Sequence, residues 1–400
     1  MMADRIDPDL MTQLKKFGLS DATECFNCGN CTAVCALSSE STPFPRKVIR
    51  YLQLGLKSKL AGSVEPWLCY YCGDCSKTCP RQANPGEVMM GLRRFLTASY
   101  DWTGISRLFY TSKIFEVLSL LVVAALVGLG FYFFHGPMLT DRVALNVFAP
   151  NTTIEILDLI MLGVLSFFLL SNAYRMSKAV MADGPAAGPE SRPKGIFGIP
   201  LLVYAREAKE FILQFTTQKR FNACGTPSQR TQWLVHLLIM TGYSTVFLLV
   251  VVGIRWFQRD EIYPLWHPIR LLGYYSTFAI LYGVTYALVG RIRKSKTVYQ
   301  HSHSSDWVFL IMLWLTAFSG ILIHFAQLLV MPLTTYFIYV IHLMIAVPML
   351  VIEVPFAKWT HQLYRPLVLY LTKVKERALQ EETESETIIA VPKANLAEMG

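Results

Sequence analysis

Cys25, Cys28, Cys31 and Cys35, and then Cys69, Cys72, Cys75 and Cys79, repeat the spacing C-x2-C-x2-C-x3-C, and Cys224 alone stands outside the two runs. Thiolates are soft ligands. Three of them at this spacing wrap the corners of one [4Fe-4S] cubane, while the fourth reaches across to a second cubane. The expected ligand sets are Cys25, Cys28, Cys31 and Cys79 for one cluster, and Cys69, Cys72, Cys75 and Cys35 for the other. Pro80 follows the second run in the usual way, whereas Ala36 fills the matching place after the first. The proline shapes only the exit turn, so the chemistry implied is the movement of single electrons.

Two plainer uses of cysteine fit less well. No secretory signal is read ahead of the first run, so the expected surroundings are a reducing cytosol, where eight close cysteines make a poor disulfide framework. Zinc prefers two separated C-x2-C pairs around one tetrahedral ion, and the triplets here are packed too tightly for that. Cys224 reads as an ordinary buried or interfacial thiol.

The elements that must carry these residues are mostly apolar. Hydrophobic residues make up 53% of the chain and charged residues 16%, and the mean hydropathy is +0.37. Six stretches, 114–134, 154–173, 233–254, 271–290, 307–330 and 333–356, are each long enough to cross the hydrocarbon at ~1.5 Å per residue. Soluble helices rarely run so far without a polar face. Basic residues gather after the second stretch, from Arg175 to Arg230, and after the fourth, at Arg291, Arg293, Lys294 and Lys296. Both loops and both termini are therefore expected on the cytoplasmic side of an inner membrane. Anionic lipid and this topology account for the net charge of +9, and no basic stripe with interleaved aromatics points to nucleic acid.

Gly184 to Pro189 reads as a linker. Beyond it, Leu201 to Phe215 alternates apolar and charged residues at helical spacing, which suits the inner headgroups better than a docked partner. The tail from Lys373 reads as a solvated helix that frays into disorder.

Imidazoles inside lipid are expensive unless partnered, so the histidines at membrane depth are candidate haem ligands. His236 lies ~7 Å into the third stretch, and His361 lies just past the inner end of the sixth. These two share the inner leaflet. His324, near the outer end of the fifth stretch, and His342, ~12 Å into the sixth, share the outer one. One continuous helix would carry His342 and His361 ~28 Å apart. His135, His267, His301 and His303 fall at ends or in loops and are left out as iron ligands.

The run from His342 to His361, with Pro355, Phe356, Ala357 and Lys358 inside it and Tyr364, Arg365 and Pro366 after it, resembles the haem-bearing helix of the respiratory nitrate reductase gamma family. In that family both histidines of the helix ligate haem b. The cytochrome b subunit of heterodisulfide reductase is a relative, and the cysteine region is similar to the small ferredoxin-like subunit of the same enzyme. A fusion of the two resembles the C-subunit family of the quinone-interacting membrane-bound oxidoreductases, over about residues 22–366. The resemblance implies two haems b, menaquinone, and cytoplasmic flavin and iron–sulfur subunits that exchange electrons with adenylyl-sulfate reductase. The nitrate reductase relatives take their other two ligands from one helix, and His236 matches the first of these while Val246 occupies the second. His324 is then the expected substitute at the outer haem.

The expected fold is all-α: a cytoplasmic helical two-[4Fe-4S] ferredoxin-like domain over 1–105, a six-helix transmembrane cytochrome b bundle over 106–366 with an amphipathic insert at 184–230, and a polar tail over 367–400. No CCG motif, dinucleotide fingerprint or phosphate loop is present, so substrate chemistry and flavin are expected on partner subunits. The expected function is electron transfer from menaquinol through haem b to the two clusters. His267 and Arg270, at the outer mouth of the fourth stretch, are the candidate quinone site. The rival expectations are a heterodisulfide or sulfite reductase-type complex with the same wiring, and a membrane-anchored iron–sulfur redox sensor.

Overall fold

The computed structural model describes residues 5–19, 22–39, 43–182, 195–222 and 227–397. Cys224 and the linker 184–189 lie outside the described residues, as do the side chains of Glu384 and Glu386 in the tail. The described chain is helical, with no strand among its residues.

Short helices build the cysteine region and lead into α1, Pro85–Tyr100. Six long helices follow: α2 (Lys113–Phe134), α3 (Asn151–Ala182), then, after the amphipathic α4 (Leu201–Thr217), α5 (Pro227–Val251), α6 (Pro268–Ile292), α7 (Ser304–Leu328) and α8 (Pro332–Phe356). All six are long and apolar enough to cross a membrane. Their ends follow local chemistry. Ser112 accepts from Phe115 N at the start of α2, and a capping box between His303 and Asp306 opens α7. Pro268 and Pro332 occupy first turns, where a missing N–H is harmless. α8 packs against α2, α3 and α7, and α6 packs between α5 and α7.

One apolar core runs through both parts of the molecule. Leu14, Leu52, Met89 and Leu92 of the cysteine region belong to the same buried cluster as Met176 and Val180 of α3 and Ile352 of α8. Trp67, 1% exposed, lies against Tyr100 and Tyr364 with ring centroids 6.3 and 5.4 Å away. Such aromatic pairs contribute about 1 kcal/mol each beyond their burial.

The sixth apolar stretch does not continue to His361. Pro355 offers no N–H to the ladder, α8 stops at Phe356, and Ala357 breaks away at φ −128°, ψ −142°. A turn of 3-10 helix, Lys358–Thr360, follows, and His361 opens a new helix, α9 (His361–Ala397). His342 and His361 therefore sit on different helices.

One further expectation changes, that of the tail. α4 is held against α9, where Tyr370 Oη donates to Tyr204 O at 2.9 Å and Arg206 pairs with Glu381 at 3.1 Å. Its opposite side still exposes Leu201, Leu202 and Ile212. The backbone of the tail stays helical to Ala397 instead of fraying, because its first half is held by α4 and α3.

The cysteine region is fastened to the long helices by buried charge. Lys358 Nζ meets Asp306 Oδ1 at 2.5 Å, Arg94 approaches Asp306 at 4.0 Å and Glu87 at 3.0 Å, and Arg94 Nε donates to Phe17 O at 2.7 Å. Asp306→Asn leaves the part-buried Lys358 without its counter-charge, at a cost of about 1.5–3 kcal/mol. Arg206→Ala removes a half-exposed pair worth about 0–1 kcal/mol. Thermal denaturation of the full chain in detergent should show a large drop in midpoint for the first and almost none for the second.

Candidate iron–sulfur and imidazole sites

The two cysteine runs fold alike. After each first cysteine comes a residue with left-handed backbone, Asn27 (φ 59°) or Tyr71 (φ 55°), whose N–H donates back to the sulfur, Asn27 N to Cys25 at 3.4 Å and Tyr71 N to Cys69 at 3.3 Å. Gly29 (φ 90°) and Gly73 (φ 86°) then turn the chain in a conformation that side chains resist. Short helices Asn30–Ala33 and Asp74–Lys77 start there and carry Cys31 and Cys75. The two helices touch, and Asn30 Nδ2 donates to Thr78 O at 2.7 Å.

That contact mixes the ends of the runs. Burial pushes the Cys31 thiol up, and the sulfurs adding to this are Cys25, Cys28 and Cys79. Burial also pushes Cys75 up, with Cys69, Cys72, Cys35 and last Cys31 adding to it. Cys35 lines one cavity together with Cys69, Cys72 and Cys75. The neighbourhoods thus group Cys79 with the first run and Cys35 with the second. Thiols held this far up bind a metal only by giving up their protons to it.

The two groups face different ways. Around the first, Cys28 is exposed and Phe26 is 72% exposed, with the Arg81 guanidinium over its ring at 4.2 Å. The second faces the helices. Arg93, part-buried, donates to the carbonyls of Pro66 and Cys69, and Arg365 Nε donates to Trp67 O at 3.0 Å.

His236 on α5 and His361 at the start of α9 come together, with ring centroids 5.9 Å apart at 65°. At that spacing the two rings would be able to hold one iron between them, which would supply one-electron chemistry. The nitrogens are also sorted. His236 Nδ1 lies 2.8 Å from Gln218 Oε1, and His361 Nδ1 meets Lys358 O. Both partners only accept, so each Nδ1 carries the hydrogen and each Nε2 keeps its lone pair for a metal. Gln362 Nε2 alone approaches His361 Nε2, at 3.3 Å. Burial, and then the facing His236, lower His361 well below its ordinary value, which keeps the ring uncharged. The residues present therefore fit a bis-imidazole iron.

His324 and His342 are not brought together. The α7–α8 hairpin sets His342 against Ser319, whose Oγ lies 2.9 Å from His342 Nδ1, and against Gly320, one turn from His324. His324 Nε2 is occupied by Tyr274 Oη at 2.8 Å. Equal depth in sequence did not fix the register between the two helices, and the outer pairing fails on that. Among the excluded histidines, His303 caps α7 and His135 Nδ1 reaches Gly136 O.

His267 and Arg270 meet around Tyr263. The His267 ring stacks on it at 3.7 Å, and Arg270 donates to Tyr263 O at 2.7 Å and to Tyr274 Oη at 2.8 Å. Sequence reasoning missed Tyr274, Gln218 and Tyr70. Tyr70 lines both the cavity of Cys69 and the cavity of His236 and His361, and its ring stacks on Phe221 at 4.6 Å, which in turn touches His236. The local sequence marks none of these three, since each acts through a contact distant in the chain.

Residues 21–83 match the family of 4Fe-4S dicluster domains. The chain is 34% identical over 88 residues to a heterodisulfide reductase C-subunit-like protein of Archaeoglobus profundus, covering 22% of this chain and 47% of that one. It is 33% identical over 85 residues to the C-subunit of the H2:CoB-CoM heterodisulfide,ferredoxin reductase of Methanothermobacter thermautotrophicus, covering 21% and 45%. A third relative, the C-subunit of the ferredoxin:CoB-CoM heterodisulfide reductase of Methanosarcina acetivorans, is 30% identical over 94 residues, covering 24% and 37%. The chain spans less than half the length of these curated relatives. No solved structure matches. The amino-terminal part is thus an iron–sulfur domain for two [4Fe-4S] clusters.

The crossed grouping has a direct check. Cys79→Ser and Cys25→Ser should weaken the same cluster signal in low-temperature EPR, and Cys35→Ser should share its loss with Cys69→Ser. If Cys79→Ser instead removes the signal lost in Cys69→Ser, the grouping is wrong.

Proposed function

We propose that the chain is the membrane electron-transfer subunit of a quinone-interacting oxidoreductase complex, set in the inner membrane with both termini cytoplasmic. Residues 1–105 hold the two clusters, 106–366 form the cytochrome b bundle and 367–400 the tail. Menaquinol is the donor, His236 and His361 hold haem b, and docked cytoplasmic flavin and iron–sulfur subunits of the adenylyl-sulfate reductase pathway are the acceptors. When bound, the haem and the clusters supply one-electron carriers, which divide the two-electron oxidation of a quinol into single steps. The observation that carries this reading is the common wall: one residue, Tyr70, bounds both the imidazole cavity and the cavity of the second cysteine group.

The resemblance implies a second haem, and the outer histidines support a different role. Arg270 Nε donates to Tyr274 Oη, which leaves the hydroxyl proton of Tyr274 free to be given to His324 Nε2, 2.8 Å away. A quinol hydroxyl that hands its proton to Tyr274 sends the proton of Tyr274 on to His324. His267, close by, has a buried Nδ1 without a partner. His267 and Arg270 with Tyr274 and His324 form the proposed quinol site.

The names of the relatives favour a second reading, in which the same residues serve a heterodisulfide reductase-type complex. The partner subunits that co-purify separate the two.

Anaerobic addition of a menaquinol analogue to the full chain in detergent should reduce both the haem absorbance and the cluster EPR signals. His236→Leu should abolish the haem band and quinol-driven cluster reduction together. Tyr274→Phe should slow reduction by about 10²-fold while leaving the spectra intact. Haem that stays oxidised with quinol in excess points to a sensor, and full-rate cluster reduction in His236→Leu rules out the proposed route.

A further inference from the structure

The cavity of His236 and His361 has one charged residue in its lining, Arg365, among Tyr70, Gln214 and Gln218. The Arg365 guanidinium is only partly used. Nε donates to Trp67 O at 3.0 Å and the plane lies over the Tyr70 ring at 3.9 Å, while Nη2 is buried with no partner. Among the described residues no carboxylate pairs with Arg365 or with the nearby Arg93, which is spent on the carbonyls of Pro66 and Cys69. A buried guanidinium N–H left unbonded costs free energy, and a carboxylate is the acceptor that best matches its fork. Arg365 lines the imidazole cavity and is absent from the lining of the cysteine cavity. Arg365 thus belongs to the wall of the imidazole cavity, with one N–H of its fork still lacking an acceptor.

We infer that Arg365 is the anchor for a carboxylate of the macrocycle held between His236 and His361. This rests on the haem reading above and adds the subsite for the acidic side arms of the porphyrin. Because the same guanidinium lies on Tyr70, the acidic edge is held at the wall shared with Cys69, Cys72 and Cys75. Arg365 is a binding residue whose pairing is with the ring's periphery and not with iron.

The test compares protohaem with its dimethyl ester, in which both carboxylates are masked, as ligands for the haem-free full chain in detergent. Wild type should bind protohaem at least about tenfold more tightly than the ester, the value of one charge-assisted hydrogen bond. Arg365→Gln should erase that preference while both ligands still give a bis-imidazole spectrum, and Arg365→Lys, which keeps the charge, should retain part of it. The cluster EPR signal reports that each variant is folded. A wild type without preference, or a preference that persists in Arg365→Gln, overturns the assignment and leaves the haem reading standing. A wild type that binds neither ligand removes the haem reading, and the assignment with it.

Discussion

Lys358 sits in the charged seam along which the two parts of this molecule meet. Its part-buried ammonium meets Asp306, its N–H donates to Glu353 Oε2 at 3.0 Å, and its carbonyl accepts from His361 Nδ1. Burial lowers this lysine below its ordinary value, and Asp306 and then Glu353 work against that shift, so its charge depends chiefly on Asp306. Asp306 in turn faces Arg94, which is bonded to Glu87 and to the carbonyl of Phe17. Lys358 thus links the charged seam beside the cysteine region to the orientation of an imidazole. A shift of that lysine would disturb both.

The seam has a consequence for conduction. Tyr71 Oη donates to Glu87 Oε2 at 2.8 Å, so the loop that follows Cys69 is tied to the same charges. Tyr70, its neighbour, separates the cavity of the second cysteine group from the imidazole pair. The first cysteine group lies farther out, beside exposed Phe26. The order along the molecule is imidazole pair, second cysteine group, first cysteine group, water. A partner that takes electrons from the outermost group needs no access to the membrane helices.

Much of this was legible in the sequence where the governing forces are local. Cysteine spacing specifies cluster ligation because neighbouring thiolates share one cluster, and long apolar runs specify helices because backbone groups in lipid must bond within the segment. Depth along the helices also groups His236 with His361, which lie side by side because both sit near inner helix ends. The outer pair does not follow depth, because depth ignores helix register, and a single turn between Ser319 and His324 decides which side chain faces His342. The break after Phe356 was hidden by Pro355, since prolines are tolerated inside membrane helices and Pro348 in the same helix causes no stop. Gln218 and Tyr70 carry no signal in the local sequence, Arg365 is marked only as part of the run that carries the resemblance, and it is the packing of distant segments that reveals what they touch.

The most direct measurement is the content of the full chain purified without oxygen: iron, acid-labile sulfide and extractable protohaem per polypeptide, with a low-temperature EPR spectrum. The account predicts sulfide for two cubanes, iron in excess of that sulfide by the amount of protohaem, and a low-spin signal from a bis-imidazole haem that is lost with His361. A colourless protein carrying zinc, or one with sulfide and no porphyrin, would contradict it.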